Sequence, residues 1–132
     1  MRPEAAAFLA KAHVCLVKAD GMLAEWPDEA GRAAYLAGLH AAQAFIVETT
    51  GKTVKSHRGV QREIGRLTKD DPNFDRDLRG FLGRSYNLKA IADYEIGADA
   101  EVSQEDALAA VAAGKRFVAK MIELIGDADR QV

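Results

Sequence analysis

The sequence predicts an all-α fold, an antiparallel up-and-down bundle of four to five helices, on three observations. Apolar residues recur at helical spacing along nearly the whole chain, with no strand-like alternation, low-complexity run or internal repeat. Five stretches carry their own start and stop signals. The links between them are a few to about ten residues long, which favours antiparallel neighbours.

The first helix is expected from about Pro3, well suited to a first turn, to Asp20, with Gly21 closing it. The second begins after Trp26 and Pro27 and runs to about Thr49, with Gly51 as its stop. Ala30, Ala33, Ala34, Leu36, Ala37 and Leu39, then Ala41, Ala42, Ala44, Phe45, Ile46 and Val47, make it apolar nearly all round, so it belongs at the centre of the bundle. Gly31 and Gly38, seven apart, would admit close approach of a neighbouring helix or of a second copy of the chain. The third helix is capped by Ser56 and runs to about Leu67; the fourth starts near Pro72 or Asn73. The fifth starts at Ser103, with Asp106 three residues on, and ends at Gly126.

With 132 residues, 48% of them hydrophobic and 29% charged, the chain has the makings of one domain that folds without metal or disulfide. The opening MRPEAAAFLAKAHVCLVKAD carries too many charges for a signal peptide or a membrane span, so a cytoplasmic protein is expected. Cys15, the one cysteine, falls on the apolar side of the first helix with Phe8, Ala12, Leu16 and Ala19, where packing is its expected work.

A formal net charge of -2 conceals a strong asymmetry. Residues 52–89 hold ten Lys or Arg against five Asp or Glu, and residues 93–132 hold four against nine. Two readings stand open: a surface for an acidic partner such as nucleic acid, a nucleotide or an acidic protein face, or complementary packing of the two halves. Within the basic part, Arg58, Arg62 and Arg66 recur every four residues on one side of the third helix, with Lys55 and Lys69 near its ends. His57, Val60, Ile64 and Leu67 form its apolar side.

The chain has no phosphate-cradling glycine loop, paired-histidine zinc spacing, GxSxG elbow or zinc finger, which removes most nucleotide hydrolases and metalloenzymes. His13, His40 and His57 lie on three different helices, so no metal site and no cofactor is expected. His57, on the first turn of the third helix and facing the core, should have its pKa lowered by the helix dipole, leaving a neutral imidazole able to accept a proton; packing against the second or fourth helix is the alternative. His40, Arg32 and Gln43 are among the few polar groups in the middle of the second helix and must find partners if buried, as a register-holding network or as the floor of a ligand site.

The sharpest anomaly is NLKAIADYE, residues 87–95. Leu78, Phe81, Leu82, Ser85, Leu88 and Ala92 form an apolar stripe, yet Lys89 falls inside it, with Asp93 and Tyr86 along its edge. Lys89 and Asp93 are spaced for an intrahelical salt bridge, partly desolvated. The functional reading adds the phenols of Tyr86 and Tyr94 and has the pair line a groove for a phosphate or a ribose.

Three segments in order, RAAYLAGLHAAQAFIVETTG at 32–51, KSHRGV at 55–60 and KAIADYE at 89–95, resemble the small stand-alone HEPN-domain proteins of bacteria and archaea. That resemblance implies a helical bundle that commonly forms homodimers, with the late motifs of the fourth helix facing a shared cleft. It also implies one of two activities. Many such proteins are metal-independent ribonucleases, often toxins paired with a minimal nucleotidyltransferase; others bind nucleotides or proteins without cleaving anything. Here Lys89 stands where the motif arginine is expected and Asp93 where a nuclease would carry its histidine, while Arg84 points away from Asp93 on the helical wheel. The leading expectation is therefore a dimeric binding module for a nucleotide, RNA or a nucleotidyltransferase partner, with ligand-binding candidates Tyr86, Lys89, Asp93, Tyr94, His57 and Arg58. The alternatives are a ribonuclease toxin with a degenerate motif, using Asp93 as base with Lys89 or Arg58 steadying phosphate, and a structural subunit docking on a larger protein.

Overall fold

The computed structural model describes the backbone of residues 1–94 and 101–130, and the side chains of 1–93 and 101–128. Five helices make up the described chain: α1 Pro3–Met22, α2 Pro27–Thr50, α3 His57–Leu67, α4 Arg76–Tyr94 and α5 Gln104–Arg130. Strands are absent from the described residues, and no described helix is long and apolar enough to cross a membrane.

The four long helices alternate in direction. Glu48, near the end of α2, accepts a hydrogen bond from the backbone N–H of Arg2 at 2.7 Å, and Phe8 stacks on His40, so α1 and α2 run antiparallel. Gly31 faces Leu88 and Gly38 faces Phe81, which sets α4 antiparallel to α2. Arg116 pairs with Asp75, and Lys115 with Asp20, which turns α5 against both α4 and α1. The nearly all-apolar α2 lies at the centre, packed on by every other helix.

Of the two occupants allowed for the Gly31 and Gly38 seam, the structure shows the neighbouring helix. A Cβ on Gly38 would overlap the Phe81 ring, and Gly31 abuts the Leu88 side chain. On another side, Gly114 of α5 lets the Ala34 backbone approach: an added Cβ would stand 3.3 Å from the Ala34 carbonyl oxygen.

Three boundaries differ from expectation. Gly21 does not close α1, which continues to Met22; Leu23 stays right-handed and the Trp26 N–H donates to the Met22 carbonyl at 2.7 Å. Gly51 is the one positive-φ residue among those described (φ 77°), and there the left-handed cap of α2 forms as glycine permits. The fourth helix starts at Arg76, not near Pro72 or Asn73, because Asp75 is the residue whose carboxylate accepts the Leu78 N–H, at 3.0 Å. Phe74 must first turn into the core, and Arg79 fixes that turn by donating to the Thr68 carbonyl at 2.9 Å while lying over the Phe74 ring. Gly126 does not end α5, which runs on to Arg130. The expected caps at Ser56 and Ser103 are present, each hydroxyl accepting the N–H three residues on at 3.0 Å.

The ion pairs between the two charge halves run in both directions: Lys89 to Asp93 takes its cation from the basic half and its anion from the acidic one. Two of the ion pairs that tie α5 to the segment leading into α4, Arg116 to Asp75 and Lys120 to Asp71, take their cations from the acidic half and their anions from the basic one. The arginines of α3 remain on an exposed face, where Arg66 is the one with an ion pair among the described residues, to Glu63 at 2.8 Å.

Candidate functional site

α2, the start of α3 and the second half of α4 meet along one seam. Positions 29, 32 and 35 of α2 run past positions 93, 89 and 86 of α4 in opposite direction, so both helices contribute polar side chains at helical spacing. The seam divides into a charged part and an aromatic part.

In the charged part Lys89 Nζ pairs with Asp93 Oδ2 as the i, i+4 spacing requires. Asp93 also accepts from Arg32 Nε at 2.7 Å and Arg32 Nη2 at 2.5 Å. Arg32 in turn donates from Nη1 to both carboxylate oxygens of Glu29, at 2.7 and 2.6 Å. Two cations and two anions thus join in one cluster across α2 and α4. The side chains of Lys89 and Asp93 are 24% and 20% exposed, the partial desolvation expected of ions set into an apolar stripe. Hydrogen bonding from Lys89 holds the Asp93 carboxyl below its ordinary pKa, with Arg32 adding to the effect.

In the aromatic part the Tyr35 hydroxyl lies 2.8 Å from His57 Nδ1. Tyr86 stacks on the His57 ring at 4.1 Å between centroids and meets Tyr35 edge-on at 5.5 Å. Tyr35 is 2% exposed and Tyr86 37%, so the cluster grades from core to solvent within one ring stack. Burial, and secondarily Tyr86, push the Tyr35 phenol up to about 12, which keeps it protonated. Burial also lowers the pKa of His57, and the charge of the adjacent Arg58 lowers it further. The direction is the one expected from the sequence, but desolvation leads it.

The structure therefore brings Tyr86 and His57 together, with the exposed Arg58 next in the chain, and brings Lys89 to Asp93 one turn further along α4. The Tyr94 side chain lies outside the described residues. His40 belongs elsewhere: its Nδ1 lies 2.9 Å from Gln43 Oε1, and Gln43 donates to the Val54 carbonyl at 2.9 Å. That is the register-holding network, not a ligand floor. Arg32 is not part of it. No group of three or more potential metal-binding His, Cys, Asp or Glu residues occurs among the described residues.

Two members of the site were not singled out by the sequence reading. Glu29 and Tyr35 lie three residues to either side of Arg32, and the sequence does not show which turns of α2 and α4 face each other. The polar residues of an otherwise apolar central helix were the available signal, because each needs a partner on a facing helix.

Fold and site together define an all-α bundle whose central seam joins a tyrosine–imidazole stack to an ion cluster. Comparison of the chain with known protein families and with curated proteins finds no match.

Proposed function

We propose that this chain is a HEPN-like binding module that holds single-stranded RNA or a nucleotide on the His57–Tyr86 stack, with the cationic face of α3 taking phosphates. The observation that carries this reading is the stack itself: a ring pair at 4.1 Å, open to solvent through Tyr86, at the start of α3, which displays Arg58 and Arg62 on its exposed side just after the exposed Lys55. Aromatic faces bind bases of any sequence, and arginines four apart rise about 6 Å per step, close to the phosphate spacing of an extended strand. The resemblance of three ordered segments to HEPN proteins adds a homodimer and a nucleotidyltransferase partner, as in a toxin–antitoxin pair, to the proposal.

Binding is favoured over cleavage because Asp93, the candidate base, is held by Lys89 and Arg32 and has a lowered pKa, which suits an ion pair and not proton abstraction.

The test is fluorescence polarisation with a labelled five-residue oligouridylate in chelator, with the products sized afterwards. Tyr86→Ala should weaken binding by about five- to a hundredfold, the loss of one stacked base, and affinity should fall steeply with salt. Intact RNA throughout supports a binder; shortened RNA lost with Asp93→Ala would establish the ribonuclease. Absence of binding together with stable co-purification of another protein would select a structural subunit.

A further inference from the structure

We infer that Tyr35 is a positioning residue that holds His57 as the Nε2–H tautomer, so the site meets its ligand with a hydrogen-bond donor and takes a phosphate oxygen there. The inference rests on the binding reading above and assigns the atom that makes the contact.

The argument starts from the Tyr35 hydroxyl. Its ring is almost wholly buried, and its one hydrogen-bond partner among the described residues is His57 Nδ1. Tyr35 is protonated at any ordinary pH, so the hydroxyl hydrogen needs an acceptor. If Nδ1 carried the proton, it would donate to the phenol oxygen and leave the buried O–H with nothing to donate to, at a cost of about 1–3 kcal/mol. With Nδ1 bare, the hydroxyl donates to it and both groups are satisfied. A neutral imidazole then carries its proton on Nε2.

Nε2 has no hydrogen-bond partner among the described residues, yet no buried side-chain nitrogen or oxygen lacks one. Nε2 therefore reaches solvent. It does so on a ring stacked on the half-open Tyr86 and beside the exposed Arg58, whose charge acts on the imidazole. An N–H donor next to a guanidinium suits an acceptor that is also an anion, which a phosphate oxygen is and a base edge is not. The groups facing His57 are Tyr35 from α2, Tyr86 from α4 and Arg58 on its own helix. Because Nε2 carries a proton in both the neutral and the cationic ring, phosphate contact should persist as the pH falls through that range. A histidine acting as acceptor or base would instead lose its contact on acidification.

The experiment is a long-range ¹H–¹⁵N correlation spectrum of the full-length ¹⁵N-labelled chain, with His57→Gln used to assign the ring, followed by titration with 5′-AMP at pH 8 and pH 6. The expected result is a protonated Nε2 and a bare Nδ1, an Nδ1 resonance that moves downfield in Tyr35→Phe as its hydrogen bond is lost, and an Nε2 resonance that shifts on titration. Tyr86→Leu should leave the tautomer unchanged, which separates positioning from general disruption of the cluster. A protonated Nδ1 in the parent overturns the assignment. A bound 5′-AMP that leaves Nε2 unmoved at pH 8, or an Nε2 shift present at pH 8 and absent from the saturated complex at pH 6, overturns the phosphate contact. If neither 5′-AMP nor the oligouridylate binds, the binding reading fails and the ligand half of this inference fails with it, while the tautomer result stands separately.

Discussion

The two ends of this bundle are equally buried but differently built. Around Tyr35, Phe45, Phe74, Phe81, Phe117 and Met121 the helices are joined by large side chains. At the other end, where the α1–α2 turn meets the start of α5, the second cluster consists of Ala19, Ala30, Ala33, Ala34, Ala107 and Ala110 with Val102 and Val111. Alanine at zero exposure removes little apolar area from water, so that end gains less from burial and depends on close backbone approach and on side chains at its margin. The site lies across the boundary. Tyr35 belongs to the aromatic cluster, while Leu88 and Ile91, on the turns of α4 that carry Lys89 and Asp93, pack on the alanine cluster. The aromatic part of the seam thus rests on large buried side chains and the ion cluster on small ones.

The largest effect should come from the aromatic end. Phe117 is 1% exposed, stacks on Phe81 at 4.8 Å and meets Phe74 edge-on, so Phe117→Ala should cost about 3–5 kcal/mol in a urea titration. Val111→Ala in the other cluster removes two methyl carbons and should cost less than half as much. Equal costs would mean that the alanine end is stiffer than its composition implies.

Native-state hydrogen exchange makes the same contrast inside a single helix. Ala30 and Ala34 are as buried as Ala41 and Ala44, yet their neighbours differ in size. Amides at 30–34 should exchange roughly tenfold or more faster than those at 41–47, through local opening that leaves the aromatic cluster intact. Uniform protection along α2 would remove the distinction between the two ends.

Helix number, the centrality of α2 and the serine caps were legible in the sequence, because periodicity and local capping chemistry are properties of short segments. The start of α4 was not, since Phe74 and Arg79 override the local signal of Pro72 through contacts that form only on folding. At the site, the Lys89–Asp93 pair follows from spacing within one helix. Its extension to Arg32 and Glu29, and the bond from Tyr35 to His57, depend on which turns of α2 and α4 lie opposite each other. That register is set by Gly31 and Gly38 receiving Leu88 and Phe81, a seam recognised in the sequence without its occupant. Sequence periodicity says which face is apolar; it does not say which residue of another helix arrives there.

The smallest effect separates the two parts of the seam by pH. His57 is held below its unfolded pKa of about 6.5 by burial and by Arg58, so the unfolded chain binds its proton more readily. Stability should therefore decline as pH falls from about 6.5 through the lower folded value, and the change should vanish in His57→Gln. Asp93, and Asp75 at about 2 in its pairing with Arg116, are depressed carboxylates. Their contribution is present above the ordinary carboxylate pKa and is lost only in a second, more acidic window below about pH 4. Thermal melts at half-unit steps from pH 8 to 3 should resolve two stages, the first assigned to the aromatic platform and the second to the ion pairs. A single stage near pH 4, unchanged by His57→Gln, would mean that the imidazole is as solvated folded as unfolded, and the aromatic platform would then lose the desolvation on which it rests.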